Sequence, residues 1–144
     1  MAWASGTRSL SFFRTLDGGD TWEKVSTIGG FDHLDDICGS SAANVWGAQN
    51  GDGVSGGIHR VYAPVGETPQ HVNGTPPALH GYTPGGVTCV DSRAAWVVAP
   101  KGVLPDPTQP RAKIVYTTDG QSWTEADAPA DIRYWKISML GERR

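Results

Sequence analysis

Long apolar runs and basic clusters are both missing from this sequence. No run of about 18 apolar residues occurs, so no segment has the composition of a membrane-spanning helix. The formal net charge is −3, and the 12 Lys and Arg residues form no stripe that could neutralise a row of phosphates. We therefore expect neither a membrane nor a nucleic acid among the partners of this chain.

Helical periodicity is missing as well. The 19 Gly and 10 Pro residues are spread along the 144-residue chain and interrupt every window in which an amphipathic helix could form. Apolar residues make up 38% of the chain, which is enough to support a hydrophobic core. The sequence therefore predicts one all-β segment over residues 1–144.

Three short apolar segments, each headed by a tryptophan, define an internal repeat. The tryptophans are Trp3, Trp46 and Trp96, which lie 43 and then 50 residues apart. Ile37 lies nine residues before Trp46, and Val87 lies nine residues before Trp96, so two pairs of neighbouring strands align without a gap. Each repeat therefore contains a strand before the tryptophan as well as the strand that the tryptophan begins.

A complete repeat predicts four antiparallel strands. In the second unit we expect them at 34–40, 44–49, 57–63 and 69–73, and in the third at 86–91, 94–99, 112–118 and 122–125. The first unit opens on what corresponds to a second strand, and residues 134–140 resemble a first strand with nothing after it. The expected units are therefore 1–28 plus 132–141, then 32–74, then 82–128.

Two hairpin motifs link the predicted third and fourth strands of the outer units. The first runs from Thr15 to Trp22 and the second from Thr117 to Trp123. In such a turn an Asp side chain accepts hydrogen bonds from nearby backbone N–H groups, and Gly supplies a positive φ without steric cost. The motif residues, all expected to be structural, are Thr15, Asp17, Gly19, Thr21, Trp22, Thr117, Asp119, Gly120, Ser122 and Trp123.

These hairpins, together with the repeat segment from Leu34 to Gly47, resemble the Asp-box (BNR-repeat) β-propellers. That superfamily includes the photosystem II assembly and stability factors and the sialidase-like propellers. The resemblance implies four-stranded antiparallel blades around a central channel. In the photosystem factors, basic residues on one face are implicated in partner binding, but this chain is slightly acidic and has no such cluster. That function is therefore not carried over.

The sialidase chemistry is not expected here. Sialidases need an arginine trio, a tyrosine nucleophile with a glutamate partner, and an acid carboxylate, and no residues of this chain stand in a recognisable equivalent setting. A glycosidase needs paired carboxylates, and none is evident on the loop side. We therefore predict no catalytic residues, no metal site and no cofactor. A carbohydrate-active hydrolase is the first alternative, and a structural half of a longer propeller is the second.

Polar and aromatic residues gather just before the predicted inner strands, where propeller loops face the channel mouth. We predict a non-enzymatic scaffold that binds a protein or glycan at this mouth, because flat aromatic faces suit both ligands. The candidate contacts are His33, Asp35, Asp36, His80, Tyr82, Tyr134 and Trp135.

The two cysteines are expected to be buried thiols. In the gap-free alignment Cys38 matches Thr88, and Cys89 matches Gly39. The two side chains therefore lie one position apart on equivalent strands and point to opposite faces. On this reasoning a disulfide is not expected.

Three blades are too few to close a ring, since propellers typically have about four to eight. Two copies would provide six, with the first blade completed by residues 134–140 of the partner. A homodimer that closes a six-bladed ring is therefore expected, with a fragment of a longer propeller as the alternative.

Overall fold

The computed structural model describes residues 1–6, 10–28, 33–50, 56–100, 108–129 and 131–139. Residues 32, 140 and 141, which the predicted unit boundaries include, lie outside the described residues, as do the glycine-rich stretch 51–55 and residues 101–107 of the third unit. The side chain of the candidate residue His33 also lies outside this description.

Three antiparallel sheets follow one another along the chain, and within each sheet the strands pair in chain order. The first blade contains β1 (Ala2–Gly6), β2 (Leu10–Thr15) and β3 (Glu23–Ile28). The second contains β4 (His33–Ser41), β5 (Asn44–Asn50), β6 (Gly57–Tyr62) and β7 (Gln70–Asn73). The third contains β8 (Gly86–Cys89), β9 (Ala95–Pro100), β10 (Ala112–Thr117) and β11 (Thr124–Glu125). A single 3₁₀ turn, Pro77–Leu79, lies between the second and third blades.

The all-β prediction is confirmed. The structure also reproduces the internal repeat, because the three tryptophans occupy one register position. Trp3 pairs with Arg14 across β1 and β2, Trp46 with Arg60 across β5 and β6, and Trp96 with Tyr116 across β9 and β10. The tryptophan strand is therefore the second strand of the second and third blades, and β1 of the first blade corresponds to it.

The second blade is apolar on both faces because it lies between the other two. On one side Val45 and Val61 pack with Phe12 of the first blade. On the other side Trp46 and Ile58 pack in a cluster that includes residues of the third blade. Successive residues of a strand point to opposite faces, so Val45 and Trp46 serve different interfaces although they are neighbours in sequence.

Residues 132–139 form no ladder with the first blade. They lie instead against β8, at the opposite end of the stack. The backbone N–H of Met139 donates to the Thr88 hydroxyl oxygen over 3.3 Å, and the Trp135 carbonyl lies so close to Gly86 that a Cβ there would approach it to 2.9 Å. Within one chain, the segment predicted as the missing first strand therefore lies beside β8 and not beside β1.

The prediction of two free thiols is wrong: Cys38 and Cys89 form a disulfide with a Cα–Cα distance of 5.8 Å. The two side chains do point to opposite faces of equivalent strands, but consecutive blades stack face to face. The face of β4 that carries Cys38 therefore meets the face of β8 that carries Cys89. Opposite orientation on neighbouring blades brings the sulfurs together rather than keeping them apart.

The disulfide should contribute measurably to stability. It closes a loop with a sequence separation of 51. In the chain-entropy model a loop of this length restricts the unfolded state by about 4 kcal/mol. We expect a reductant, or the double variant Cys38→Ala and Cys89→Ala, to lower the free energy of unfolding in urea by a large part of that amount. The double variant is the control, since a reductant should not change it further. If the urea unfolding transition of the wild type is the same with and without the reductant, the disulfide is contradicted.

Candidate functional site

One end of the stack gathers the starts of the inner strands. In an antiparallel sheet the first residue of β4 lies beside the last residue of β5, and the structure pairs His33 with Asn50 and Gln49 with Gly57. The connection from β7 to β8 reaches the same end. We call this end the mouth edge. Of the predicted ligand residues, His33, Asp35 and Asp36 lie in the first half of β4, and His80 and Tyr82 precede β8. Tyr134 and Trp135 precede no strand in the described residues.

A cleft of about 170 Å³ opens at the mouth edge between the second and third blades. Its walls come from the connection between β7 and β8 and from the start of β6. We call it the mouth cleft, and its lining residues are Gly56, Thr75, Pro76, Pro77, Leu79, His80, Gly81 and Tyr82.

Local sequence explains the shape of this connection. The two consecutive prolines fix their own φ and start the 3₁₀ turn. Gly81 has a φ of +82°, in the left-handed region that glycine adopts freely, and it reverses the chain before β8. Leu79 anchors the turn in the core, while His80 stays exposed at the rim. The result is a cleft with a mixed polar and apolar lining and one exposed imidazole at its rim.

Tyr82 is not the open aromatic face that the sequence suggested. Only 6% of its surface is exposed, and its ring belongs to the core between the second and third blades. Its hydroxyl donates to the Pro110 carbonyl over 3.0 Å, and the Lys113 ammonium lies 5.1 Å from its ring centroid. Because the ring fills the space between two apolar sheets, Tyr82 supports the cleft wall and offers no face for stacking.

Asp36 ties three segments together instead of facing a ligand. Its carboxylate accepts the backbone N–H of Val87 on β8 over 3.1 Å and lies 3.3 Å from the Lys136 ammonium. Lys136 also donates to the carbonyl of Asp35 over 3.4 Å. These contacts join β4, β8 and the C-terminal segment, and they give Asp36 a structural role beside the predicted ligand role.

Trp135 remains available at the mouth edge. Its side chain is 57% exposed, and the Arg133 guanidinium lies 5.6 Å from its ring centroid. Its carbonyl contacts the backbone of Gly86 at the start of β8. Tyr134 is half-buried, and its hydroxyl donates to the Pro129 carbonyl over 3.4 Å. Trp135 and His80 are thus the exposed candidates on the described part of this edge.

The first hairpin turn is held by its aspartate. The Asp17 carboxylate accepts the Thr15 hydroxyl over 2.7 Å, the Thr21 backbone N–H over 3.1 Å and the Thr21 hydroxyl over 2.5 Å. The Gly19 N–H donates back to the Thr15 hydroxyl oxygen over 2.9 Å. The Thr21 hydroxyl, followed by the other donors, holds the pKa of Asp17 well below its usual range.

The last hairpin turn repeats this arrangement with different donors. The Asp119 carboxylate accepts the backbone N–H groups of Gln121 over 2.8 Å and Ser122 over 2.7 Å, and the Thr117 hydroxyl over 3.0 Å. The Gln121 N–H is the largest cause of its lowered pKa. Both turns follow the third strand of a blade, at the edge opposite the mouth.

Sequence reasoning missed a polar cluster inside the second blade. His59 is only 3% exposed, and its ring nitrogens lie 2.5 Å from the Gln49 side-chain oxygen and 3.0 Å from the His71 ring nitrogen. Burial, with a smaller contribution from His71, lowers the pKa of His59 to about 4. The cross-strand register of β5, β6 and β7 creates this cluster, so the spacing of residues within a single strand does not predict it.

His59 should make stability depend on pH. Its pKa is lowered from 6.5 to about 4 in the folded state, so the unfolded chain binds more protons between these values. Stability is then complete above about pH 6.5 and falls by about 2–3 kcal/mol as the pH drops to about 4. Urea unfolding across this range should show that slope in the wild type and a much smaller one in His59→Gln. Val65→Ala, which changes an exposed side chain that carries no titratable group, is the control and should keep the wild-type slope. An equal slope in all three proteins would contradict the assignment.

Side-by-side inner strands and antiparallel sheets stacked face to face place the chain in the β-propeller class of folds. Its structure is similar to that of YCF48 from Cyanidioschyzon merolae, with a TM-score of 0.66 and 18% sequence identity. The similarity covers 99% of this chain and 42% of the YCF48 chain, so this chain spans less than half the length of that propeller. At this identity the likeness concerns the fold alone.

No protein-family model matches the chain, and no curated protein matches it in sequence. Among the described residues no helix is long and apolar enough to cross a membrane. The same residues contain no group of three or more His, Cys, Asp or Glu side chains arranged to hold a metal ion.

Proposed function

We propose that this chain is a non-enzymatic β-propeller scaffold that binds a protein ligand at its mouth edge. The observation that carries the proposal is the mouth cleft, which is small, only partly apolar and bordered by the exposed His80. Sites for whole small molecules usually measure about 300–1,000 Å³. A cleft of about 170 Å³ suits one inserted side chain instead. Single anchoring side chains in small pockets are typical of protein–protein recognition.

Trp135 extends the proposed binding surface beyond the cleft. Its carbonyl contacts Gly86, four residues along the chain from the cleft residue Tyr82. An exposed tryptophan beside a small pocket offers a large contact area with little conformational entropy to lose. The cation stacked on it, Arg133, adds a hydrogen-bond donor at the same place. Protein ligands can use all three features together.

We further propose that both hairpin turns are Asp-boxes with a structural role. The carboxylates of Asp17 and Asp119 are occupied by hydroxyl and backbone donors of their own turns. Those donors stabilise the ionised form, which makes each group a poor general acid. The turns also lie at the edge opposite the mouth. This arrangement favours binding over glycoside hydrolysis as the function of the chain.

A displayed peptide library, selected on the wild-type protein, tests the binding proposal. Enriched peptides should lose affinity about fivefold or more for His80→Ala and for Trp135→Ala, because each substitution removes an exposed contact of the surface. Val65→Ala is the matched control, since Val65 is exposed on the outer turn of the second blade. The Val65→Ala variant should bind the enriched peptides with the affinity of the wild type.

Three results would contradict the proposal. The library could enrich no peptide, or the enriched peptides could bind both variants as tightly as the wild type. Glycan-array binding with turnover of fluorogenic glycosides, abolished by one carboxylate substitution, would instead establish a hydrolase. Glycan binding without turnover would keep the scaffold and replace its ligand class.

A further inference from the structure

A pair of tryptophans joins the second blade to the third. Trp46 on β5 and Trp123 after the last hairpin turn meet edge to face, with ring centroids 5.9 Å apart. The Arg60 guanidinium lies 5.4 Å from the centroid of the Trp46 ring. Covered in this way, Trp46 is only 2% exposed. The second-strand tryptophan of one blade therefore receives the hairpin tryptophan of the following blade.

The interface between the first and second blades is built in the same way as the interface between the second and third. The Trp3 indole N–H donates to the Ser41 carbonyl over 2.8 Å, and the Arg14 guanidinium donates to the Ala42 and Ala63 carbonyls, each over 2.6 Å. Arg14 also lies 5.6 Å from the centroid of the Trp3 ring. Both interfaces thus use the second-strand tryptophan and its third-strand partner to contact the next blade.

The contact between blades joins a second-strand tryptophan to the hairpin tryptophan of the following blade. Each end of the stack carries one of these two residues without its partner blade. At the far end Trp96 and Tyr116 occupy the positions of Trp46 and Arg60, and their rings stack 5.7 Å apart while both remain half-buried. At the near end Trp22 occupies the position of Trp123 but is 47% exposed. One end therefore offers the receiving tryptophan, and the other end offers the inserting one.

The backbone at the two ends is complementary as well. In the described residues β1 has one strand neighbour, β2, whereas the equivalent strands β5 and β9 each have two. Residues 132–139 lie on the free side of β8, where the inner strand of a following blade would lie, and carry no ladder there. The segment predicted to pair with β1 thus lies at the end of the stack opposite to β1.

We propose that a second copy of this chain closes the stack into a twofold-symmetric ring of six blades. Trp22 of each copy packs against Trp96 and Tyr116 of the other, and residues 132–139 of one copy pair with β1 of the other. A second copy is the fitting occupant because each chain holds both halves of the contact. A twofold axis then satisfies both ends with two identical interfaces. It also covers the open β1 edge, which would otherwise invite uncontrolled pairing.

Light scattering after size exclusion tests the proposal on the full chain. The wild type should have twice the 15.3 kDa mass of one chain. Trp22→Ala should raise the dissociation constant of the dimer about tenfold or more, because tryptophans dominate such interfaces. The exposed residue Val65 again supplies the control, and Val65→Ala should leave the dissociation constant unchanged. Circular dichroism checks that each variant remains folded.

Mixing two variants separates the specific contact from a general loss of structure. Trp96→Ala should weaken the dimer as Trp22→Ala does. An equimolar mixture of the two variants can form one heterodimer interface that has both native tryptophans, so it should dimerise more tightly than either variant alone. A wild type of 15.3 kDa, an assembly of three or more copies, an unaffected Trp22→Ala dimer or a mixture no tighter than its parts would each overturn the proposal.

Discussion

The face-to-face contact between consecutive blades is the constraint on which the rest of this structure depends. The second blade is a small antiparallel sheet with two apolar faces, and such a sheet needs a neighbouring layer on each face. The second-strand tryptophan performs this task at each described interface. Trp46 reaches Trp123, and Trp3 bonds the Ser41 carbonyl. Each of these tryptophans in the sequence therefore marks one blade of the structure.

This stacking also positions the mouth edge. Because β4 and β8 lie side by side, the carboxylate of Asp36 can accept the N–H of Val87, and Cys38 can bond Cys89. The two links fix the angle between the blades just below the mouth cleft. The 3₁₀ turn then spans the gap and leaves His80 at the rim. A cleft between two rigid sheets keeps its shape without a ligand, which suits a binding surface.

The strands of the second and third blades were predictable from the sequence, whereas contacts between sheets were not. The strand predicted at 44–49 is observed as Asn44–Asn50, because apolar patterning and turn residues act over a few neighbours. The disulfide was missed because its formation depends on which faces of two separate sheets meet. The burial of Tyr82 was not predicted for the same reason, since a residue before an inner strand can turn into the interface between blades. His59 joins Gln49 and His71 only through cross-strand register.

A double-mutant cycle at Trp46 and Trp123 tests the face-to-face contact most directly. Urea unfolding of the wild type, Trp46→Leu, Trp123→Leu and the double variant gives the coupling free energy between the two rings. An edge-to-face pair that joins two blades predicts a favourable coupling of about 0.5–1.5 kcal/mol. A coupling free energy indistinguishable from zero, with each single variant only additively destabilised, would contradict the stacking of the blades described above.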